Sequence, residues 1–141
     1  MSTVVNTKWT GGMSFDANVN GHHIIMDIAK DSGGTDAGPR PKAMLLAALA
    51  GCAGMDIVSI LEKMKVEGYA LDIAAEADST TEHPIIYHTI TVKFQFTGDN
   101  LPPEKLKKAV NLSTERYCGV SAMLNKAANI IPKIYLNDTE V

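Results

Sequence analysis

The sequence is short of the residues that usually announce a reaction. Its 141 residues include only two cysteines, four histidines and one tryptophan. No CxxC or HxxxH spacing occurs, and His22 and His23, neighbours in an extended segment, would point to opposite faces of a strand. A bound metal is therefore not expected. There is no G-x-S-x-G elbow, and the glycine-rich residues 32–38 lack the Lys-Ser/Thr pair that a phosphate-binding loop needs. Serine hydrolysis and P-loop nucleotide binding drop out.

Charge of one sign is also missing. The net charge is −3, and the basic residues are scattered, with no stripe that could neutralise successive phosphates. Nucleic acid is not an expected partner. The start, Met-Ser-Thr-Val-Val-Asn, has neither a basic region nor an apolar run after it, so no secretory signal is read and the cytoplasm is expected. The longest uncharged run, residues 43–55, falls short of the roughly 20 residues of a spanning helix. It reads as a buried core helix, with no membrane partner.

What is present is an ordinary globular composition, 45% hydrophobic and 21% charged, sized for one domain over residues 1–141. Strands are predicted at residues 4–9, 14–19 and 22–29, the last two joined by Asn20-Gly21, a type I′ hairpin signal. Residues 30–41, with Gly33, Gly34, Gly38, Pro39 and Pro41, read as a loop that delivers the chain into a helix, with Gly33-Gly34 as a mobile turn within it. A long helix follows over residues 41–65, with Gly68 just past its end. Its first half is apolar all round, which demands enclosure on every side. One sheet cannot supply that, so a second subunit is expected.

Residues 70–79 and 85–97 read as two long strands, the second with Ile90, Val92, Phe94 and Phe96 on its buried face. A helix over residues 102–116 has Leu106, Ala109 and Val110 inward. Tyr117-Cys118-Gly119 interrupts it, Ser121 is placed to cap a short helix through about Ala128, and residues 134–136 form a closing strand. The fold class is α+β.

The two cysteines sit in different settings. Cys52 lies within the apolar helix between Gly51 and Gly54, where small neighbours leave room beside the sulfur. It reads either as a pocketed nucleophile or as a small hydrophobe packed in the core. Cys118 lies at a helix break after Arg116, a setting in which a helix start and a guanidinium both favour thiolate. Met26, Met44, Met55, Met64 and Met123 serve core packing or line an adaptable apolar cavity.

Together, Gly38-Pro39-Arg40-Pro41 leading into Leu45-Leu46-Ala47-Ala48-Leu49-Ala50-Gly51-Cys52, with Cys118-Gly119-Val120-Ser121 two strands and a helix later, resemble the OsmC/Ohr family of osmotically inducible and organic hydroperoxide resistance proteins. The resemblance implies an OsmC/Ohr-like fold, with antiparallel sheets around a long buried central helix, in an intertwined homodimer with active sites at the subunit interface. It implies that Cys52 is the peroxidatic cysteine and Cys118 the resolving one, that hydroperoxides are the substrates, that a dithiol is the reductant, and that no metal, haem or flavin is required. In the family's peroxidases an arginine from the first hairpin, held by a glutamate early in the central helix, activates the thiol. Here Met13 and Lys42 stand at those positions. Arg40, Lys42 and Arg116 are the candidate replacement cations.

Three readings follow. The first is a cysteine-based hydroperoxide reductase. The second is a divergent OsmC-like dimer that binds an apolar or thiol-containing small molecule without turnover. The third is a structural dimer in which Cys52 only packs.

Overall fold

Asn20 and Gly21 both take positive φ, 54° and 81°, as the type I′ turn demands. In the computed structural model, which describes residues 1–141, that turn joins β2 (Ser14–Val19) to β3 (His22–Met26), and β1 (Asn6–Gly11) pairs on the other side of β2. All pairings in this three-stranded sheet are antiparallel, with Trp9 opposite Phe15 and Val19 opposite His22. The sheet and the segment after it form one compact unit, Met1–Leu45.

Strand β3 ends three residues before its predicted limit of Ala29, and Asp27 is the reason. Its side chain, only 2% exposed, accepts the backbone N–H groups of Ile28 (2.8 Å), Thr35 (3.1 Å) and Ala37 (3.1 Å) and the Thr35 hydroxyl (2.8 Å). These bonds replace a ladder with a folded loop, so the loop that holds the Gly33-Gly34 turn is built around a carboxylate. Gly34 and Gly38 are required by contact: a Cβ at either would land on a backbone carbonyl oxygen, that of Ile28 or of Ile25. Four good donors hold the Asp27 carboxyl at about 2, below its ordinary 3.8, against the opposing effect of burial.

The second unit, Leu46–Val141, contains most of helix α1 (Pro41–Lys63), then β4 (Ala70–Ser79), β5 (Tyr87–Thr97), α2 (Pro103–Leu112), α3 (Gly119–Leu124), β6 (Asn129–Leu136) and β7 (Thr139–Glu140). Helix α1 buries a stripe at four-residue spacing, Leu49, Ala53, Ile57 and Leu61. These pack with Ile90, Val92, Phe94 and Phe96 of β5 and with Leu106, Ala109 and Val110 of α2, the faces that periodicity predicts. At roughly 25 cal/mol per Å² of apolar surface, a stripe of this kind is what fixes the helix in place.

Two features differ from expectation. The sheet runs β4-β5-β6-β7, and β6 lies parallel to β5 because the chain crosses over through α2 and α3 before returning. The uncharged run 43–55 is enclosed by its own chain only at Leu49 and Ala53, while Met55 is 77% exposed. By length and composition the 23-residue α1 is apolar enough to cross a membrane, which the shorter run had argued against. Its buried stripe is that of a core helix.

The end of α1 is also two residues short of prediction. Lys65, at φ 59°, takes the left-handed position expected of a glycine, and Val66 N–H and Lys65 N–H bond back to Leu61 and Glu62 carbonyls at 2.9 and 3.0 Å. This is a Schellman cap, with Val66 and Leu61 both buried in the core.

Candidate functional site

Helical spacing puts Cys52 and Asp56, four residues apart on α1, on one face. Cys118 arrives from the other side of the sequence, and its position depends on how α2 ends. After Leu112 the helix widens into a π turn over Ser113–Tyr117, in which Cys118 N–H bonds to the Ser113 carbonyl at 2.8 Å. The backbone then turns extended at Cys118 (φ −72°, ψ 104°) and α3 begins. Such single π turns recur at functional sites.

Cys118 is itself the cap of α3: its sulfur accepts the Ser121 N–H at 3.3 Å. Ser121 was expected to cap, but it lies inside the helix, buried, with its hydroxyl donating to the Thr114 carbonyl at 3.4 Å. A thiol thus fills a role usually held by an oxygen, which fixes the sulfur's direction.

The result is a small cluster. The Cys52 and Cys118 sulfurs and an Asp56 carboxylate oxygen all lie within 4.8 Å of one another. Both cysteines are free thiols, Cys52 half-buried and Cys118 buried. Buried Ser113 donates its hydroxyl to the Ala53 carbonyl (3.1 Å) and to Asp56 Oδ2 (3.2 Å), tying the carboxylate to the π turn. Against the expectation that the helix start and Arg116 favour thiolate at Cys118, burial pushes its thiol up to about 11; the Ser121 N–H opposes this, while the Cys52 thiol and Asp56 charge add to it.

Of the predicted site residues, the structure brings Cys52 and Cys118 together. It places the three candidate cations differently. Arg40 belongs to the first unit, where its guanidinium is engaged by the Asp36 carboxylate and the Gly38 carbonyl. Lys42 stands on the first turn of α1, also in the first unit. Arg116 stacks over the Tyr117 ring at 5.6 Å and lines, with Cys118, Thr114, Ser121 and Asn125, a cavity of about 560 Å³.

Sequence reasoning passed over Asp56 and Ser113. The Cys-x3-Asp spacing on the long apolar helix was a usable signal for Asp56. Nothing in the sequence pointed to Ser113, whose role depends on the π turn. Of the methionines, Met26 lines an apolar cavity of about 300 Å³ in the first unit, together with Met13 and Phe15.

Comparison with known proteins supplies the context. The family described as OsmC-like protein matches residues 33–133. Protein YhfA of Escherichia coli K12 is 37% identical over 124 residues, covering 87% of this chain and 90% of that protein. Among solved structures, a hypothetical protein from Aquifex aeolicus VF5 superposes with a TM-score of 0.85 at 26% identity, covering 97% of each chain. The organic hydroperoxide resistance protein OhrB of Bacillus subtilis shares the fold, with a TM-score of 0.64 at 18% identity over 97% of this chain and 98% of that one.

Proposed function

Because the chain belongs to the OsmC/Ohr family, we propose that it is a thiol-dependent peroxidase in which Cys52 reduces an organic hydroperoxide and Cys118 resolves the oxidised sulfur. The observation that carries this reading is the approach of two free sulfurs, from opposite halves of the sequence, to within 4.8 Å. Burial alone would explain one such cysteine; it does not explain why two meet.

The chemistry divides between them by environment. The Cys52 thiolate attacks one peroxide oxygen, the O–O bond breaks, and the alkoxide leaves with a proton as alcohol, so that Cys52 becomes a sulfenic acid. The Cys118 sulfur then attacks the Cys52 sulfur. An S–S bond forms, and hydroxide leaves as water with the proton that Cys118 carried. A small dithiol reverses the disulfide by exchange and is itself oxidised. Family likeness assigns Cys52 the first step and Cys118 the second; burial pushes the Cys118 thiol up to about 11, so it keeps its proton until its sulfur attacks and gives that proton up as it does. Arg116, on the wall of the cavity beside Cys118, is the candidate cation that shares a unit with the pair.

Family membership and the exposed apolar side of α1, including Met55 and Val58, support a homodimer in which a second copy covers that side, with the protein acting as one cytoplasmic domain. Light scattering on the purified protein tests the dimer. For the activity, consumption of an organic hydroperoxide with a dithiol as reductant is expected from the wild type and not from Cys52→Ser. Cys118→Ser is expected to stop after one equivalent of peroxide per chain. Undiminished turnover by Cys52→Ser would sink the assignment.

A second reading has one observation behind it: the Met13, Phe15 and Met26 cavity, with Met13 where the family's arginine is expected. It makes the protein a binder of an apolar small molecule. That reading requires ligand affinity to survive replacement of both cysteines and the wild type to show no peroxide turnover.

A further inference from the structure

We propose that the reduced protein holds one thiophilic divalent cation, of which Zn²⁺ is the type, through Cys52, Asp56 and Cys118. The absence of CxxC and HxxxH spacing spoke against any metal, but ligand spacing in the sequence matters only where one local segment supplies the ligands. Here a helix supplies two, at positions four apart, and a distant helix cap supplies the third. Their three donor atoms lie within 4.8 Å of one another.

The geometry is close to what zinc needs. Bonds of about 2.3 Å to sulfur and about 2.1 Å to oxygen in a tetrahedron put ligand atoms roughly 3.5–3.8 Å apart. Contraction by about an ångström at most is required, within reach of side-chain rotation at Cys52 and Asp56. Two sulfurs and one carboxylate select a borderline-soft ion over Mg²⁺ or Ca²⁺, which take oxygen sets. Three protein ligands leave a fourth position for water, the arrangement of open zinc sites.

Groups that orient such ligands are already in place. The Ser113 hydroxyl donates to Asp56 Oδ2 and the Ser121 N–H donates to the Cys118 sulfur, the outer-shell pattern that directs ligand lone pairs. The ion pairs His23–Asp16, Arg40–Asp36, Lys93–Glu76 and Lys107–Glu104 do not involve Asp56. The cavity of about 560 Å³ reaches Cys118 and provides an entry path. A Cys52–Cys118 disulfide would remove both sulfur ligands, so reduced and oxidised protein differ in metal affinity.

The test is direct titration of the reduced, metal-free protein with Zn²⁺ against a chromophoric chelator, in the absence of peroxide, and with Co²⁺ as a spectroscopic probe. One ion per chain is expected, with thiolate-to-cobalt charge-transfer absorption. Cys52→Ser, Cys118→Ser and Asp56→Asn are each expected to weaken Zn²⁺ binding by at least the roughly 10–100-fold that outer-shell changes alone produce. If Asp56→Asn does not fold, Ser113→Ala keeps the carboxylate and is expected to lose about tenfold in affinity. The proposal is overturned if the reduced wild type does not bind, if oxidised protein binds as tightly as reduced, or if the Asp56 variant (or Ser113→Ala in its place) keeps full affinity. The outcome is independent of the peroxidase reading, which is measured separately by peroxide consumption in chelator.

Discussion

Asp27 is a buried carboxylate and Asp56 a half-buried one, and they are treated in opposite ways. Asp27 is nearly surrounded by donors, three backbone N–H groups and a hydroxyl, so that its charge is satisfied and its proton affinity is low. Asp56 has the Ser113 hydroxyl and faces two thiols. The first carboxylate is used up in holding a loop together. The second keeps an oxygen and a set of soft neighbours available, and the difference in donor supply separates a structural anion from a candidate reactive one.

The largest effect that would break this comparison is steric. Gly34→Ala is expected to destabilise the Asp27 loop by roughly 1–3 kcal/mol or more, because the added methyl meets the Ile28 carbonyl oxygen and the Asp27 carboxylate. Gly38→Ala, against Ile25 and Met26 backbone, should behave alike. Chemical denaturation measures both, and near-wild-type stability in either would mean that the loop is not held as closely as Asp27 implies.

The next test uses the low proton affinity of Asp27. Its folded value of about 2 lies below the ordinary 3.8, so its contribution to stability is fully present above the ordinary value. That contribution fades as pH falls from there through about 2, when the folded state must also take up the proton. The thermal midpoint of the wild type should therefore fall across that acid window. Asp27→Asn should start from a lower midpoint at neutral pH and fall less. Parallel curves for the two proteins would show that Asp27 does not carry the acid sensitivity.

Ser113→Ala sharpens the comparison from the other side. It removes one hydroxyl from Asp56 and from the Ala53 carbonyl, and a cost of about 1–2 kcal/mol is expected for a buried hydrogen bond of this kind. If the hydroxyl also directs the carboxylate toward the thiols, the alkylation rate of Cys52 will change in the folded variant. A loss of stability with no change at Cys52 would reduce Ser113 to packing alone.

Several elements were readable in advance because their determinants are local. The hairpin turn needs only Asn20-Gly21, the inner face of β5 needs only the alternation from Ile90 to Phe96, and the buried side of α2 needs only Leu106, Ala109 and Val110. Element ends were less legible. Strand β3 stops at Met26 because Asp27 finds partners eight and ten residues ahead, and α1 stops at Lys63 because Lys65 accepts a left-handed conformation that glycine was expected to supply. These are contests between backbone ladders and side chains, decided by contacts that a periodic pattern does not contain.

The sequence by itself determined the pair of cysteines, the apolar helix that carries Cys52, the helix break that carries Cys118 and, through the Gly38–Cys52 and Cys118–Ser121 segments, the family. The pairing of the two sulfurs was implied by the family resemblance; tertiary structure alone decided that Asp56 stands with them and that Cys118 caps α3 where Ser121 was expected to. It also decided that Arg40 serves Asp36 and Gly38, while Arg116 shares a cavity with Cys118. The physical reason is range. Propensity, turn chemistry and periodicity act over a few residues, whereas a site assembled from two helices and a π turn depends on how buried faces pack, which no segment specifies alone.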